Sequence, residues 1–166
     1  MIKYKQGDLL QAFENGEVNL IAHQENCVST NYLGIAKLIH EKYPITLEGK
    51  RIFGEYSVHY VNPKNNNVVM NMYSQYYPGS PSTKTFNKNG YETVDSFQTR
   101  ITALKNCLEI IQYGFNDYKV GLCLVASGLA KVKEKPHASD LDYFKKYIAP
   151  IVEKCLDDVD VTIYYL

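Results

Sequence analysis

The sequence lacks several features that would assign it to a common class of protein. Its 166 residues include no tryptophan, and 18 basic residues balance 18 acidic ones. Without a basic field, sequence-specific binding of nucleic acid is not expected. No apolar run is long enough to cross a bilayer and the N-terminus has no signal-peptide core, so we expect a cytoplasmic protein that does not contact the membrane.

Cysteine is scarce and scattered. The four cysteines, Cys27, Cys107, Cys123 and Cys155, form no CxxC pair. This spacing argues against both a zinc site and a disulfide framework and favours reduced thiols. The Walker A and GxGxxG motifs are also absent, which excludes the common nucleotide-binding motifs. We therefore expect neither a metal nor a cofactor.

Strand and helix patterns alternate along the chain. Strands are predicted over 2–5, 19–23, 55–61, 68–75, 119–125 and 160–166, and helices over 9–13, 35–43, 94–111 and 141–155. A turn is predicted at 62–67, a long loop at 76–91, and a kink or new turn at Pro150. The alternation predicts a single α/β domain over 1–166, a three-layer α/β/α sandwich with a mixed, mostly parallel six-stranded sheet.

Three polar or small-residue segments follow predicted strands: Gly7–Asp8, His23–Gly34 and Ala126–Ala130. Ligands of open α/β sheets bind at the carboxyl ends of the strands, so neighbouring strands would bring these loops to one cleft. A helix N-terminus and a small-residue loop there offer backbone N–H groups to phosphate. The alternative is that they are ordinary strand-to-helix turns.

Four segments resemble motifs of the macro domains that bind ADP-ribose. Gly7–Leu10 is similar to the first motif, and His23–Cys27 with Gly34–Ala36 resembles a segment of the branch that contains ADP-ribose-1″-phosphate phosphatases and terminal ADP-ribose protein glycohydrolases. Ala126–Leu129 resembles the phosphate loop, and Asp160–Leu166 resembles the closing strand. The order of the motifs is that of the family, and together they cover nearly the whole chain.

The resemblance implies roles for the matching residues. His23 would be the catalytic acid or base. The ligand-binding residues would be Asp8 and Leu9 at the adenine, Asn26 at the distal ribose, Gly34, Ile35 and Ala36 in the first diphosphate loop, Ser127, Gly128, Leu129 and Ala130 in the second, and Tyr164 and Leu166 beside the adenine pocket.

Each of these roles has a structural alternative. Asp8 also suits a helix N-cap, and Asn26 also suits stabilisation of its own loop. His23 also suits a core position with one ring nitrogen hydrogen-bonded. His40 and His59 are expected at the surface, because nothing acidic or metal-binding is spaced around them.

The chain also departs from the family pattern. Ala130 replaces the acid of the glycohydrolase branch, and Met72–Gln75 contains no lysine where that branch uses one. Glu25 stands where a cysteine is usual, and Leu33 stands where a smaller residue is common. The segment Lys131–Ser139 replaces a shorter turn, which suits a lid or specificity loop.

These observations favour a monomer that binds ADP-ribose or a close derivative and hydrolyses ADP-ribose-1″-phosphate. The first alternative is a non-catalytic module that binds ADP-ribose or an NAD-derived metabolite. The second alternative is removal of ADP-ribose from macromolecules, which would need His23, His137 or Asp140 to replace the missing groups.

Overall fold

Of the eight strands in the described part of the chain, six form one sheet, in the order β1-β8-β7-β2-β4-β3. In this computed structural model the described residues are 1–43, 45, 50–62 and 66–166. The strands are β1 Lys3–Gln6, β2 Leu20–Asn26, β3 Tyr56–Asn62, β4 Asn67–Gln75, β5 Thr85–Lys88, β6 Tyr91–Val94, β7 Lys119–Leu122 and β8 Asp160–Tyr165. All neighbours in this sheet pair in parallel except β3 and β4, which are antiparallel. The predicted mixed, mostly parallel sheet is confirmed.

Helices cover both faces of the sheet. They are α1 Leu9–Glu14, α2 Gly34–Lys42, α3 Phe97–Gly114, α4 Asp140–Tyr143 and α5 Ala149–Cys155, and a π-helical turn at Phe144–Ile148 joins the last two. Leu20 and Ala22 of β2 pack in the core formed with α3 and α5, whereas Ile21 packs with α1 and α2. Because neighbouring residues of a strand point to opposite faces, β2 is buried on both sides, as its apolar run predicts.

The segment expected to be one long loop contains a second, two-stranded sheet. Strands β5 and β6 pair antiparallel across Asn89 and Gly90, both of which have positive φ (53° and 82°). An Asn-Gly pair suits this kind of hairpin turn because both residues tolerate the left-handed conformation. The loop prediction over 76–91 was therefore wrong for its second half, and α3 begins at Phe97, not at Val94.

One other boundary follows the sequence. Pro150 lies in the first turn of α5, where its missing N–H costs no helical hydrogen bond, and a new helix does start there. The turn predicted at 62–67 includes residues 63–65, which lie outside the described part of the chain. None of the described helices has the length and apolar character needed to cross a bilayer.

Candidate functional site

A cavity of about 310 Å³ opens at the carboxyl ends of β2, β4 and β7. This volume is within the range of small-molecule sites. The lining residues come from four segments: Gln24, Glu25, Asn26 of β2; Asn31, Tyr32, Leu33, Gly34, Ile35, Ala36 before and in α2; Gln75, Pro78, Gly79 after β4; and Cys123, Leu124, Val125, Ala126, Gly128, Leu129, Ala130 after β7. Two of the three polar loops identified in the sequence therefore meet at one cavity.

The first turn of α2 forms one wall of this cavity. Gly34 has a φ of 58°, in the left-handed region, and Ile35 and Ala36 follow it along the same wall. Leu33 occupies the N-cap position and makes no side-chain capping hydrogen bond. The first N–H groups of a helix have no partner within the helix. This wall can therefore present backbone donors and a positive dipole end to an anion.

The loop after β7 forms another wall. Ala126 has a φ of 59°, and its N–H donates to Oε1 of Gln24 at 3.1 Å. Ser127 is fully buried, and its hydroxyl donates to the carbonyl of Val125 at 3.1 Å. Its backbone N–H donates to the carbonyl of Leu124 at 3.1 Å, so both donors of Ser127 are used within the turn. Gly128, Leu129 and Ala130 line the cavity, but Ser127 does not.

Asn26 lines the cavity and also stabilises the loop that follows it. Its Oδ1 accepts the N–H groups of Val28 at 3.0 Å and Ser29 at 2.6 Å. Nη1 of Arg51 donates to the carbonyls of Asn26 and Ser29 at 2.9 and 2.8 Å. Asn26 therefore does stabilise its own loop, as the structural alternative stated. Because it also lines the cavity, its contact with the distal ribose stays a prediction.

The segment after β4 is held by a buried ion pair. Nε and Nη2 of Arg100 contact the two carboxylate oxygens of Asp95 at 2.9 and 2.5 Å. The same guanidinium donates to the carbonyls of Tyr77, Gly79 and Ser80 at 3.0, 2.6 and 3.3 Å. Because Gly79 lines the cavity, this ion pair fixes a third part of its wall.

His23 lies beneath the cavity wall and does not line it. Its side chain is fully buried, and its Nε2–H donates to Oδ1 of Asn71 at 2.6 Å. Burial lowers the pKa of His23, and the neighbouring Glu25 carboxylate opposes that change. The imidazole is therefore neutral near pH 7, in the core position that the sequence left open as an alternative.

The expectation that His40 lies at the surface without an acidic neighbour was wrong. Its side chain is 12% exposed, and Nε2 donates to Oε1 of Glu25 at 2.5 Å. The ring of Tyr32 stacks on the His40 ring, with centroids 3.8 Å apart and 6° between the planes. Glu25 is the one acidic residue among the described residues that line the cavity, and its side chain is fully buried behind the wall.

His59 is also less exposed than expected. It is partly buried, and its Nε2 is 3.0 Å from Oγ of Ser57. Oγ of Ser57 accepts a hydrogen bond from Nδ2 of Asn71, the residue that also contacts His23. A polar network thus crosses β2, β4 and β3 on the face that α2 covers.

The residues predicted to contact adenine lie outside the cavity lining. Asp8 is exposed and caps α1, with Oδ1 accepting the N–H groups of Leu10 and Gln11 at 2.8 and 3.0 Å. Tyr164 is buried in the core with α1, whereas Leu166 is 97% exposed. These residues and the buried Leu9 cluster at the ends of β1 and β8, and their adenine roles stay a prediction.

His137, in the Lys131–Ser139 segment, and Asp140, just after it, are held by local contacts. Nδ1 of His137 is 2.6 Å from the carbonyl of Lys135, and the His137 ring meets the edge of Tyr143. Asp140 pairs with Lys131 at the start of α4. Neither His137 nor Asp140 lines the cavity, which argues against the alternative of removing ADP-ribose from macromolecules, because that reaction would need such a group at the site.

The fold has clear relatives among solved structures, although the sequence does not. The macrodomain of Thermus aquaticus DarG covers 100% of this chain and 99% of its own at 14% identity, with a TM-score of 0.63. The macrodomain of Mycobacterium tuberculosis DarG covers 100% and 98% at 19% identity, also with a TM-score of 0.63. Thermosipho africanus DarTG, solved in complex with ADP-ribose, covers 98% of this chain and 41% of its own at 12% identity, with a TM-score of 0.59.

No protein-family model and no curated protein matches the chain by sequence. At identities this low, the structural matches establish the fold. The mixed sheet and its helical layers are those of the DarG macrodomains. The chain therefore has the macro domain fold, as the order of its motifs indicates.

Proposed function

We propose that the cavity binds ADP-ribose or a close derivative. The observation that carries this proposal is that the first turn of α2 and the loop Gly128–Ala130 line the same cavity. A diphosphate between these walls would receive backbone N–H groups from both. Thermosipho africanus DarTG, which shares the fold, was solved with ADP-ribose, and this agrees with the proposal.

The small residues of both loops suit close contact with a phosphate. Cβ atoms added at Gly34 and Gly128 would meet no other atom within 4 Å. The space beside both glycines is therefore open, and an anion can approach the backbone there. Because Gly128 does not have a positive φ, its replacement also leaves the backbone without strain.

Calorimetric titration with ADP-ribose tests the binding proposal. We expect saturable binding by the wild-type chain and loss of binding in Gly128→Glu, because a carboxylate would then face the diphosphate. Gly128→Ala is the matched control, and its added methyl group should leave the affinity within about threefold, equivalent to about 0.65 kcal/mol. Absence of binding at millimolar ADP-ribose, or equal affinity in Gly128→Glu, would contradict the proposal.

For catalysis, we propose hydrolysis of ADP-ribose-1″-phosphate to ADP-ribose and phosphate. A water molecule would attack phosphorus and give one proton to the protein, the bond between phosphorus and the ribose oxygen would break, and the released ribose oxygen would take that proton to become the 1″-hydroxyl. The group that favours this proposal is the carboxylate of Glu25: the residue belongs to the cavity wall, and its fully buried side chain lies behind that wall in contact with His40. An ionised carboxylate is an acceptor for such a proton.

His23 would act in this reaction as a positioning residue for Glu25. Its Nε2 is 3.4 Å from Oε1 of Glu25, and it has no exposed surface through which to contact a ligand. We expect His23→Ala to abolish phosphate release while ADP-ribose still binds. Because the change also removes a buried side chain, the conservative variant His23→Gln should restore part of the rate and shift the pH profile; unchanged release in both variants would remove His23 from the mechanism.

Binding without hydrolysis is the second candidate. It is favoured by Ala130, which lines the cavity where the glycohydrolase branch carries an acid. The strand end Met72–Gln75 supplies no lysine either. Saturable ADP-ribose binding together with no phosphate release from ADP-ribose-1″-phosphate would support this candidate over the phosphatase.

A further inference from the structure

A cluster of two imidazoles and a carboxylate lies directly behind the cavity wall. His23 and Glu25 are two residues apart on β2, so both point to the face that α2 covers, and His40 reaches them from α2. One ligand-type atom of each side chain lies within 4.8 Å of the other two. The sequence predicted no metal because its cysteines lack the spacing of a zinc site. This cluster contains no cysteine, so that prediction did not consider it.

The cluster contains polar atoms for which the described part of the chain supplies no hydrogen-bond partner. His23 and Glu25 are 0% and 2% exposed, and among the described residues Nδ1 of His23 and Oε2 of Glu25 have no hydrogen-bond partner. Within the same part of the chain, the partners of the Glu25 carboxylate are the two imidazoles, with no lysine or arginine in an ion pair. A buried carboxylate normally requires a cation or a full set of hydrogen bonds.

The donor set matches one class of cation. Imidazole nitrogen suits Zn²⁺ and neighbouring transition metals, whereas Mg²⁺ and Ca²⁺ prefer sites built from oxygen. Two histidines and one carboxylate are also a known ligand set for zinc with a fourth position left open. We propose that His23, Glu25 and His40 together bind one divalent transition-metal ion. Zn²⁺ is the ion used to test this proposal.

Neighbouring side chains fix the ligands in place. Tyr32 stacks on the His40 ring at 3.8 Å. Nε2–H of His23 donates to Asn71 at 2.6 Å, which leaves Nδ1, the ring nitrogen with no partner among the described residues, as the ligand atom of His23. Such supporting contacts set the orientation of metal-binding imidazoles. Because Glu25 belongs to the cavity wall and its side chain is fully buried, a bound ion would lie behind that wall.

The test is titration of chelator-treated, full-length chain with Zn²⁺ in the absence of ADP-ribose. We expect one equivalent to bind, and both His40→Ala and Glu25→Gln to weaken its affinity by at least about a hundredfold. His137→Ala is the matched control, because this partly buried imidazole is bonded to Lys135 outside the cluster and should leave the affinity unchanged. Circular dichroism would establish that each variant is folded.

Substitution with Co²⁺ gives a second measurement that uses the wild-type chain alone. We expect the visible absorption of a site with nitrogen and oxygen ligands and no thiolate charge-transfer band, since the nearby Cys27 thiol is not one of the proposed ligands. A thiolate band, no saturable Zn²⁺ binding, or equal affinity in folded His40→Ala would overturn the proposal. Binding of ADP-ribose by metal-free protein would leave the function proposed above intact, so the two inferences fail separately.

Discussion

The guanidinium of Arg100 holds the carboxylate of Asp95 through two contacts, Nε to Oδ1 at 2.9 Å and Nη2 to Oδ2 at 2.5 Å. The residues are five apart in the chain, with Asp95 just before α3 and Arg100 within its first two turns. Both are buried, at 0% and 3% exposed. With Asp95 bound on one side, the guanidinium donates its other hydrogen bonds to carbonyls of the loop that contributes Gly79 to the cavity lining. The same ion pair therefore stabilises the start of α3 and the position of this loop.

Removing the arginine should therefore affect both properties. In Arg100→Ala the buried Asp95 carboxylate loses its partner, and we expect a loss of about 3–5 kcal/mol in the free energy of unfolding. Arg100→Lys should recover part of this but not the contacts to the carbonyls of Tyr77 and Gly79, because lysine has no planar fork of donors. Urea unfolding and ADP-ribose titration measure the two effects. Unchanged affinity in folded Arg100→Lys would show that the loop holds its shape without the guanidinium.

The two roles predicted for Asp8 can be separated by substitution. Its Oδ1 accepts both capping hydrogen bonds, so Oδ2 is not needed for the cap. Oδ2 can therefore accept a hydrogen bond from the amino group of an adenine. Asp8→Asn keeps an acceptor oxygen for the cap, and we expect its stability to change by no more than a few tenths of a kcal/mol. ADP-ribose affinity should fall in Asp8→Asn if the amine is bound there. Equal affinity in Asp8→Asn and wild type would leave Asp8 as a helix cap only.

Gly121 in β7 faces α1 at very short range. A Cβ atom there would lie 2.6 Å from Cδ1 of Leu9 and 2.9 Å from Cγ2 of Val18. We expect Gly121→Ala to cost about 1–3 kcal/mol, because overpacking moves the neighbouring side chains. Gly114→Ala is the control, since its added methyl group meets no atom within 4 Å. Thermal unfolding measures both, and equal melting temperatures would contradict the close packing of α1 on β7.

The stability of the metal-free protein should fall as pH is lowered through the range of histidine. Burial holds the pKa of His23 below its unfolded value, with His40 and His59 acting in the same direction and Glu25 opposing them. The unfolded chain therefore binds a proton more readily than the folded chain, and stability that is present above about pH 6.5 is lost below it.

Urea unfolding in chelator between pH 7.5 and 5.5 measures this slope. His23→Gln, which keeps a donor for Asn71, should show a shallower slope than wild type. Identical slopes would assign the pH dependence to other groups, among them His59, whose pKa is also lowered by burial.

Much of the fold was readable because buried strands and helical stripes leave local patterns. The apolar run of β2 and the apolar stripe of α3 both appear in the sequence and in the core. The hairpin at Asn89–Gly90 also had a local signal, the Asn-Gly pair, but the Ser- and Pro-rich segment before it favoured a loop. Motif order was enough to identify the fold despite the low identity to its structural relatives.

The cluster of His23, Glu25 and His40 was harder to predict. The predicted strand ended at His23 and left Glu25 in the following loop, whereas β2 continues to Asn26 and carries both residues on one face. His40 joins them only because α2 packs back over β2, and neither its distance in the chain nor its neighbours indicate that contact. The limits of the cavity depend in the same way on the loop held by Arg100, a contact that crosses about 20 residues.

The cavity wall at α2 and at Gly128–Ala130 is formed largely by main chain and by small or apolar side chains. Every amino acid except proline supplies the same backbone N–H group, so many substitutions leave such a wall chemically unaltered. Over evolutionary time, a site of this type can drift far in sequence while its shape persists. This is one reason why structural comparison finds proteins similar to this chain, whereas the comparisons of sequence found none.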